Sequence, residues 1–555
     1  GGANNDTLNG GDGADVLVGG TGADQLNGGN GADILTGGQG VDTVNGNAGN
    51  DTILYAMGDG ADNAMNGGAD FDTILISGTG VADVLDIRLA SPTLIDRIEG
   101  GVVSNVERVD ANLQGGVDTL NYSTTLAAVA VAVNLATGTA SGFTNIAGIE
   151  NIVGGAGADT LLGDGGANSI TGFMGNDTMN GGGGDDILLA SAPAGGPPND
   201  GNDQIIGGLG IDTYSLAATN AGANVNLAAN SSSSAQTGVD TLSGVENLVG
   251  SSGSDSLTGD GADNVIDGGN NGAGGDVING GGGNDTLRGG VGNADVVNGD
   301  AGDDLILYGF ADGNDNSYNG GADNDTLQIN GTILTNTLTA VYNAGVLVSF
   351  NGVTLANIES VTADLGVDGA DVLSYNGTLV PNSVSVDLVA GTASGFTSIA
   401  GVDNVIGGSG NDFIFGNNGA NNLQGGANGG ADTLDGRGGV DTLSGGNGAD
   451  ILIGGAGNDI MNGGNDNDIF VFASGSGNND QITGFDADVA GGGQDLLDVT
   501  AFAGLTAADI GTRLIITDLG ANTRVTIDGV NSFVLLGVDG TGANVITSAD
   551  FIFGP

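Results

Sequence analysis

Large aliphatic residues in the first part of this chain recur every nine positions. Leu17, Leu26, Leu35, Val44 and Ile53 keep that spacing, each between two variable residues and followed by a glycine or a glycine-rich stretch. Nine matches neither the helical period nor a long alternating strand. A three-residue segment x-U-x, with U the aliphatic residue, reads as a very short strand with U pointing inward. The six residues before it, rich in Gly, read as a turn, because Gly accepts positive φ and close backbone approach. Two units then make one coil of about 18 residues, with parallel strands on two faces. The pattern predicts an all-β solenoid whose units contact mainly their sequence neighbours.

Asp keeps the same beat. Asp6, Asp15, Asp24, Asp33, Asp42 and Asp51 are nine apart at every step, inside units such as GGDGADVLV, GGTGADQLN and GGNGADILT. Each unit therefore delivers a carboxylate to the same place, and stacked carboxylates repel unless a cation lies between them. Oxygen ligands from Asp and from Gly carbonyls, about six to eight per ion, are the chemistry of calcium. The chain has no His and no Cys, which removes zinc and copper sites. The same register continues at Asp72, Asp159, Asp177, Asp186, Asp203, Asp212, Asp255, Asp276, Asp285, Asp295, Asp304 and Asp325, then at Asp412, Asp432, Asp441, Asp450, Asp459 and Asp468. These and the first six are the candidate metal ligands. Asn168, Asn264 and Asn421 follow Asp159, Asp255 and Asp412 at nine residues. Asn keeps an acceptor oxygen and loses the charge, so a weaker calcium site or an Asn ladder at a roll end is expected there.

Composition sharpens this picture. Gly supplies 115 of 555 residues against 6 Pro, a proportion that usually marks disorder, but disorder does not keep phase with Asp and aliphatic positions. Acidic residues number 67 against 7 basic ones, a net charge of −60. That balance excludes nucleic acid and anionic membrane surfaces as partners, and makes the cation-free chain repel itself. Only Glu99, Glu107, Glu150, Glu246 and Glu359 are Glu, so the preference is for the short acid. No apolar run is long enough for a transmembrane helix. The chain starts without Met inside the repeat pattern, so residue 1 is not expected to be the start of the gene product.

The repeated G-G-x-G-x-D-x-U-x units resemble the RTX (repeats-in-toxin) family of calcium-binding nonapeptide repeats. The resemblance implies a parallel β-roll with calcium ions between the turns, and an extracellular protein exported by a type I secretion system from a Gram-negative-type bacterium. From Phe470 the nonapeptide code stops, and the RLIITDL, TRVTIDG and SFVLLGV stretches look like antiparallel strands. This region is similar to the C-terminal part of RTX proteins, a cap on the last coil plus an export signal.

The organisation expected is an RTX block at 1–75, a β-rich insert at 76–153, a second block at 154–213 and a short β insert at 214–250. A third block follows at 251–330, a second β-rich insert at 331–407, a fourth block at 408–470, and a cap and type I secretion signal at 471–555. Residues 51–172 match 304–425 at an offset of 253, so a supermodule has been duplicated and 331–407 repeats 76–153. The alternating stretch from Val129 to Leu135 and that around Val346, Val348 and Phe350 read as strands.

Without His, Cys or Lys, the usual general base, thiol nucleophile and Schiff-base amine are missing. No enzyme is expected within these residues. The function expected is that of a calcium-dependent structural protein, a surface-layer, sheath or fibre subunit. Its partners would be calcium ions, identical subunits and cell-surface polysaccharide. The alternative is the carrier region of a larger secreted adhesin or enzyme whose active domain lies upstream.

Overall fold

The computed structural model describes residues 1–555 except 127, 192–199, 271–273, 368–369, 427, 474–478, 488–493, 530, 539–544 and 555. The described residues are almost all short strands and turns, with 3-10 turns at Ala507–Asp509 and Ser548–Asp550. They divide into two compact units, Gly1–Gly292 and Asn293–Pro555.

In the first unit each strand of the opening block pairs in parallel with the strand one coil on, at 18 residues for Leu17 opposite Leu35 and Leu8 opposite Leu26, and at 21 for Val44 opposite Met65 and Ile53 opposite Ile74. Val16–Thr21, Ile34–Gln39, Thr52–Ala56 and Thr73–Ser77 build one face. Thr7–Asp12, Gln25–Asn30, Thr43–Ala48 and Ala64–Ala69 build the other. Leu26, Leu35, Val44, Met65 and Ile74 lie between the faces with no exposed surface. The all-β roll read from the sequence is thus present, one aliphatic side chain per unit forming its core. The strands of this block are longer than three residues. Most run six, because pairing continues through the glycines, Gly11 opposite Gly29 and Asp12 opposite Asn30, while Thr52–Ala56 and Thr73–Ser77 run five. On the outer surface Asn27 donates to Asn9 at 3.0 Å and Asn45 to Asn27 at 3.4 Å, a side-chain ladder alongside the backbone one.

The inserts are coils of the same roll made longer. Ile74 pairs with Val109 and Leu85 with Leu120, each 35 residues on, so both faces continue. The additional residues fold out as an antiparallel hairpin of Val84–Ser91 and Leu94–Ile98. At 214–250 the excursion is an antiparallel meander of Ala223–Asn226, Ser231–Ser234 and Gly238–Ser243. The strand expected from Val129 to Leu135 shrinks to Ala132–Asn134. Val129, Val131 and Val133 do all face inward. Asp159 captures the Val131 N–H at 2.7 Å, and the chain before it is a turn.

The second unit repeats this plan. Ile306 pairs with Leu327, and Thr337–Asn343 forms a hairpin with Val346–Phe350. The duplication is visible in hydrogen bonds. The Tyr122 hydroxyl donates to the Ser141 carbonyl at 2.8 Å, and Tyr375, 253 residues on, donates to Ser394 at 2.7 Å. Tyr55 and Tyr308 donate to Gly60 and Gly313, both at 3.1 Å. Beyond Phe470 the coils go on, Asp480–Thr483 pairing with Ile460–Asn465 and Leu496–Asp498 with Ile469–Val471. Leu514–Asp518, Asn522–Ile527 and Asn531–Leu536 then form an antiparallel meander, as their pattern predicted. Its last strand lies in parallel on Asp480–Thr483 and covers that edge. Phe472 stacks on Phe533 beneath it, centroids 3.9 Å apart. Parts of the C-terminal stretch read from the sequence, 474–478, 488–493 and 539–544, lie outside the described residues.

Candidate metal centre

In the regular run of turns of the form G-G-x-G-x-D the two glycines are used differently. The second takes positive φ, 108° at Gly11, 116° at Gly20 and 120° at Gly29. That conformation is accessible to Gly without strain. Asn47 and Arg437 hold the same place at 80° and 63°. The first glycine is needed for space. A Cβ on Gly19 would stand 2.5 Å from Asp24 Oδ2 and still closer to the Gly37 carbonyl oxygen of the next coil. The same pair of oxygens, one carboxylate and one carbonyl, faces Gly10, Gly28, Gly46 and Gly445.

The Asp at the end of the turn is split between two tasks. Its Oδ1 accepts the backbone N–H of the ladder residue one coil earlier. Asp6 donates to Asp24 at 2.6 Å, Asp15 to Asp33 at 2.8 Å, Asp24 to Asp42 at 2.7 Å, and Asp33 to Asp51 at 2.8 Å. In the second unit Asp432 donates to Asp450 at 2.8 Å, Asp441 to Asp459 and Asp450 to Asp468 at 2.9 Å. Its Oδ2 is buried and accepts nothing from the protein at Asp15, Asp24, Asp33, Asp42, Asp51, Asp72, Asp186, Asp212, Asp325, Asp441, Asp450, Asp459 and Asp468. A buried carboxylate oxygen without a partner is expensive. It lies beside a carbonyl oxygen, in a space kept open by glycine. Two hard oxygen donors per turn suit calcium, so the residues present fit the cation. Among the described residues no three acidic side chains come together as a metal-binding group. A site here would draw on one or two carboxylates and complete its shell with backbone carbonyls.

Of the residues expected from spacing, Asp6 and Asp15 are half-buried at the first coils. All the others, from Asp24 to Asp468, are buried. Burial pushes several of these carboxyl groups toward the neutral form, among them Asp42, Asp51, Asp72 and Asp212. Asp441, Asp450 and Asp468 are raised to about 7, and Asp177, also near Asp203 and Asp159, to about 9.

The ladder is longer than the nine-residue spacing revealed. Asp42 donates to Asp62 at 3.2 Å, Asp83 to Asp118 at 2.8 Å, Asp203 to Asp240 and Asp459 to Asp480 at 3.0 Å, and Asp468 to Asp495 at 2.9 Å. The Glu residues belong to it too. Glu107, Glu150, Glu246 and Glu359 accept the N–H groups of Asp72, Asp118, Asp212 and Asp325 at 2.8 to 2.9 Å. Glu99 accepts that of Asp86 at 2.6 Å. Each sits where an insert lengthens the coil, so sequence spacing hides the match. The recurring Glu/Asp-Asn pair at 150–151, 246–247 and 403–404 was the available signal. Asn168, Asn264 and Asn421 form no ladder at a roll end. Each is spent inside the roll, its Nδ2 donating to the carbonyl of Glu150, Glu246 or Asp403 at 2.7 to 2.8 Å.

The repeat pattern is that of a known family. The profile of the RTX calcium-binding nonapeptide repeat (4 copies) matches residues 1–26, 18–53, 36–74, 153–188, 199–214, 240–271, 270–306, 399–434, 427–452, 435–470 and 444–479. No curated protein matches the chain. Among solved structures, the AlgE6R3 subunit of the mannuronan C5-epimerase of Azotobacter vinelandii is 27% identical over 26% of this chain and 80% of its own, with a TM-score of 0.16. The extracellular lipase LipA of Serratia marcescens is 16% identical, with a TM-score of 0.20. That match takes in 56% of this chain and 40% of the lipase. The repeat blocks of the chain are RTX calcium-binding nonapeptide repeats.

Proposed function

We propose that the chain is a calcium-dependent extracellular structural protein, a surface-layer, sheath or fibre subunit that folds after type I export and assembles with copies of itself. The observation that carries the calcium part is the unpartnered Oδ2 of the ladder aspartates, repeated beside a glycine carbonyl in both units. Asp15, Asp24, Asp33, Asp42, Asp51, Asp72, Asp186, Asp212, Asp325, Asp441, Asp450, Asp459 and Asp468 would hold the ions, together with carbonyls of the turn glycines. Bound calcium supplies the positive charge these buried oxygens lack. The chain itself supplies everything else: glycines that close the turn, Oδ1 staples between coils, and one aliphatic side chain per unit. Apolar burial is thin, so metal binding and folding are one event. In a cell interior poor in free calcium the chain stays open and can be threaded outward. Extracellular calcium modules bind at about 10⁻⁴–10⁻³ M, which suits the exterior.

The structural role rests on the length of roll and the duplicated supermodule. Calcium titration of the purified chain, followed by circular dichroism and negative-stain microscopy on the same samples, tests it. β-Structure and ordered sheets or filaments should appear together and vanish with chelator. A chain that folds with calcium yet stays monomeric would overturn the assembly reading and favour a carrier region of a larger secreted adhesin or enzyme.

A further inference from the structure

Three 22-residue stretches share one pattern and one set of hydrogen bonds: IENIVGGAGADTLLGDGGANSI at 149–170, VENLVGSSGSDSLTGDGADNVI at 245–266, and VDNVIGGSGNDFIFGNNGANNL at 402–423. Each resumes the regular roll after an insert, the first two in the first unit and the third in the second. In each, two successive turns depart from the pattern at their second residue. Gly155, Asp164, Ser251, Asp260, Gly408 and Asn417 are not left-handed, unlike Gly20 or Gly446 at the same place elsewhere.

That one backbone difference redirects an N–H. With the second residue out of the left-handed region, its N–H turns to the side chain four residues on. Gly155 donates to Asp159 Oδ2 at 2.6 Å, Ser251 to Asp255 Oδ2 at 2.7 Å, and Gly408 to Asp412 Oδ2 at 2.6 Å. The other oxygen of each accepts from Val131, Ala223 or Val384 at 2.6 to 2.8 Å. In the next turn Asp164, Asp260 and Asn417 donate to Oδ1 of Asn168, Asn264 and Asn421 at 2.8 to 2.9 Å. The Asn Nδ2 then takes the carbonyl of Glu150, Glu246 or Asp403 one coil earlier. The strand N–H displaced from that carbonyl goes to Oδ1 of Asn151, Asn247 or Asn404 at 2.7 to 3.0 Å. The side-chain oxygen that elsewhere is left without a protein partner is here satisfied by the chain.

We propose that these three stretches are calcium-independent joints: their turns hold no ion, and they restart the roll after each insert through hydrogen bonds alone. This rests on the calcium reading of the other turns. It assigns the acids Asp159, Asp255 and Asp412, though in register with the ligands, to a hydrogen-bonding role. It also makes Asn168, Asn264 and Asn421 required as amides rather than weakened ligands, because only an amide can donate to the carbonyl and accept from the turn together.

The count of bound calcium decides it. At saturating calcium, native mass spectrometry of Asp412→Asn should give the wild-type count, whereas Asp450→Asn should lose at least one ion. Equal losses in both would overturn the joint. In Asn421→Asp, a carboxylate oxygen would meet the Asp403 carbonyl. That variant should gain no ion, and the calcium midpoint of its folding should rise several-fold. One additional ion with an unchanged or lower midpoint would show a dormant calcium site instead. Wild-type protein that binds no calcium at all would refute the calcium reading of the ladder itself, a result distinct from either.

Discussion

At a regular turn of the ladder a single carboxylate does two things, and the two can be separated by mutation. Asp450 Oδ1 accepts the Asp432 N–H, while its Oδ2 has no protein partner. Asp450→Ala removes both and leaves a buried N–H unpaired, about 1–3 kcal/mol. Asp450→Asn keeps an acceptor for the N–H and removes only the charge. The calcium midpoint measured by circular dichroism should rise in both variants, and stability to urea in saturating calcium should fall further for Ala. A midpoint equal to wild type in both would remove Asp450 from the ligand set. The adjoining glycine is equally constrained. A Cβ on Gly445 would run into Asp450 Oδ2 and the Gly463 carbonyl, neither of which can move without breaking the coil. Gly445→Ala should destabilise the calcium-loaded chain by roughly 1–3 kcal/mol, read as a lower urea midpoint. Gly511→Ala bounds the argument: nothing crowds its Cβ position, although its φ of 89° disfavours a side chain. The loss at Gly511 should therefore be smaller, and its calcium midpoint should stay that of wild type.

At the scale of elements, what could be read from the sequence was what the period repeats. The inward aliphatic column, the parallel pairing at 18 residues and the Asp positions all follow from a spacing of nine. The inserts were only half legible. Their apolar alternation marked Val129, Val131 and Val133 as inward, but whether an alternating run is strand or turn depended on Asp159, which lies 28 residues beyond Val131. The ladder through Glu107, Glu150, Glu246 and Glu359 was hidden because lengthened coils break the count, and a longer acid makes up the reach. The cap was legible as three strands, and its docking was not, since parallel pairing of Asp480 with Phe533 spans 53 residues. Phe533 is the hinge of that docking, 2% exposed and stacked on Phe472. Phe533→Ala should lower stability by about 3–5 kcal/mol. Limited proteolysis in calcium should then release the meander before it cuts the repeats; simultaneous loss of both would mean the cap and coils unfold as one piece.

Across the whole molecule, charge and pH oppose each other in a way that calcium reverses. With a net charge of −60, nearly all of it Asp, the ladder buries its acids in files. Burial holds the folded carboxyls above the usual 3.8: Asp159, Asp186, Asp432 and Asp480 near 6, Asp62, Asp203, Asp441, Asp450 and Asp468 near 7, Asp177 near 9. A folded value above the unfolded one means that folding takes up protons. The resulting stabilisation is complete below the unfolded value and is lost as pH rises through about 6 to 9. Without metal, then, the roll should be more ordered at pH 5 than at pH 8.5. Calcium favours the ionised form, so in saturating calcium the order should invert or flatten, and the calcium midpoint should fall as pH rises. Far-ultraviolet circular dichroism at the two pH values, in chelator and in calcium, measures both arms. Greater β-content at pH 8.5 than at pH 5 in chelator would contradict the burial of neutral acids. A calcium midpoint independent of pH would mean that the ion does not compete with those protons, and hence that the Oδ2 oxygens are not its ligands.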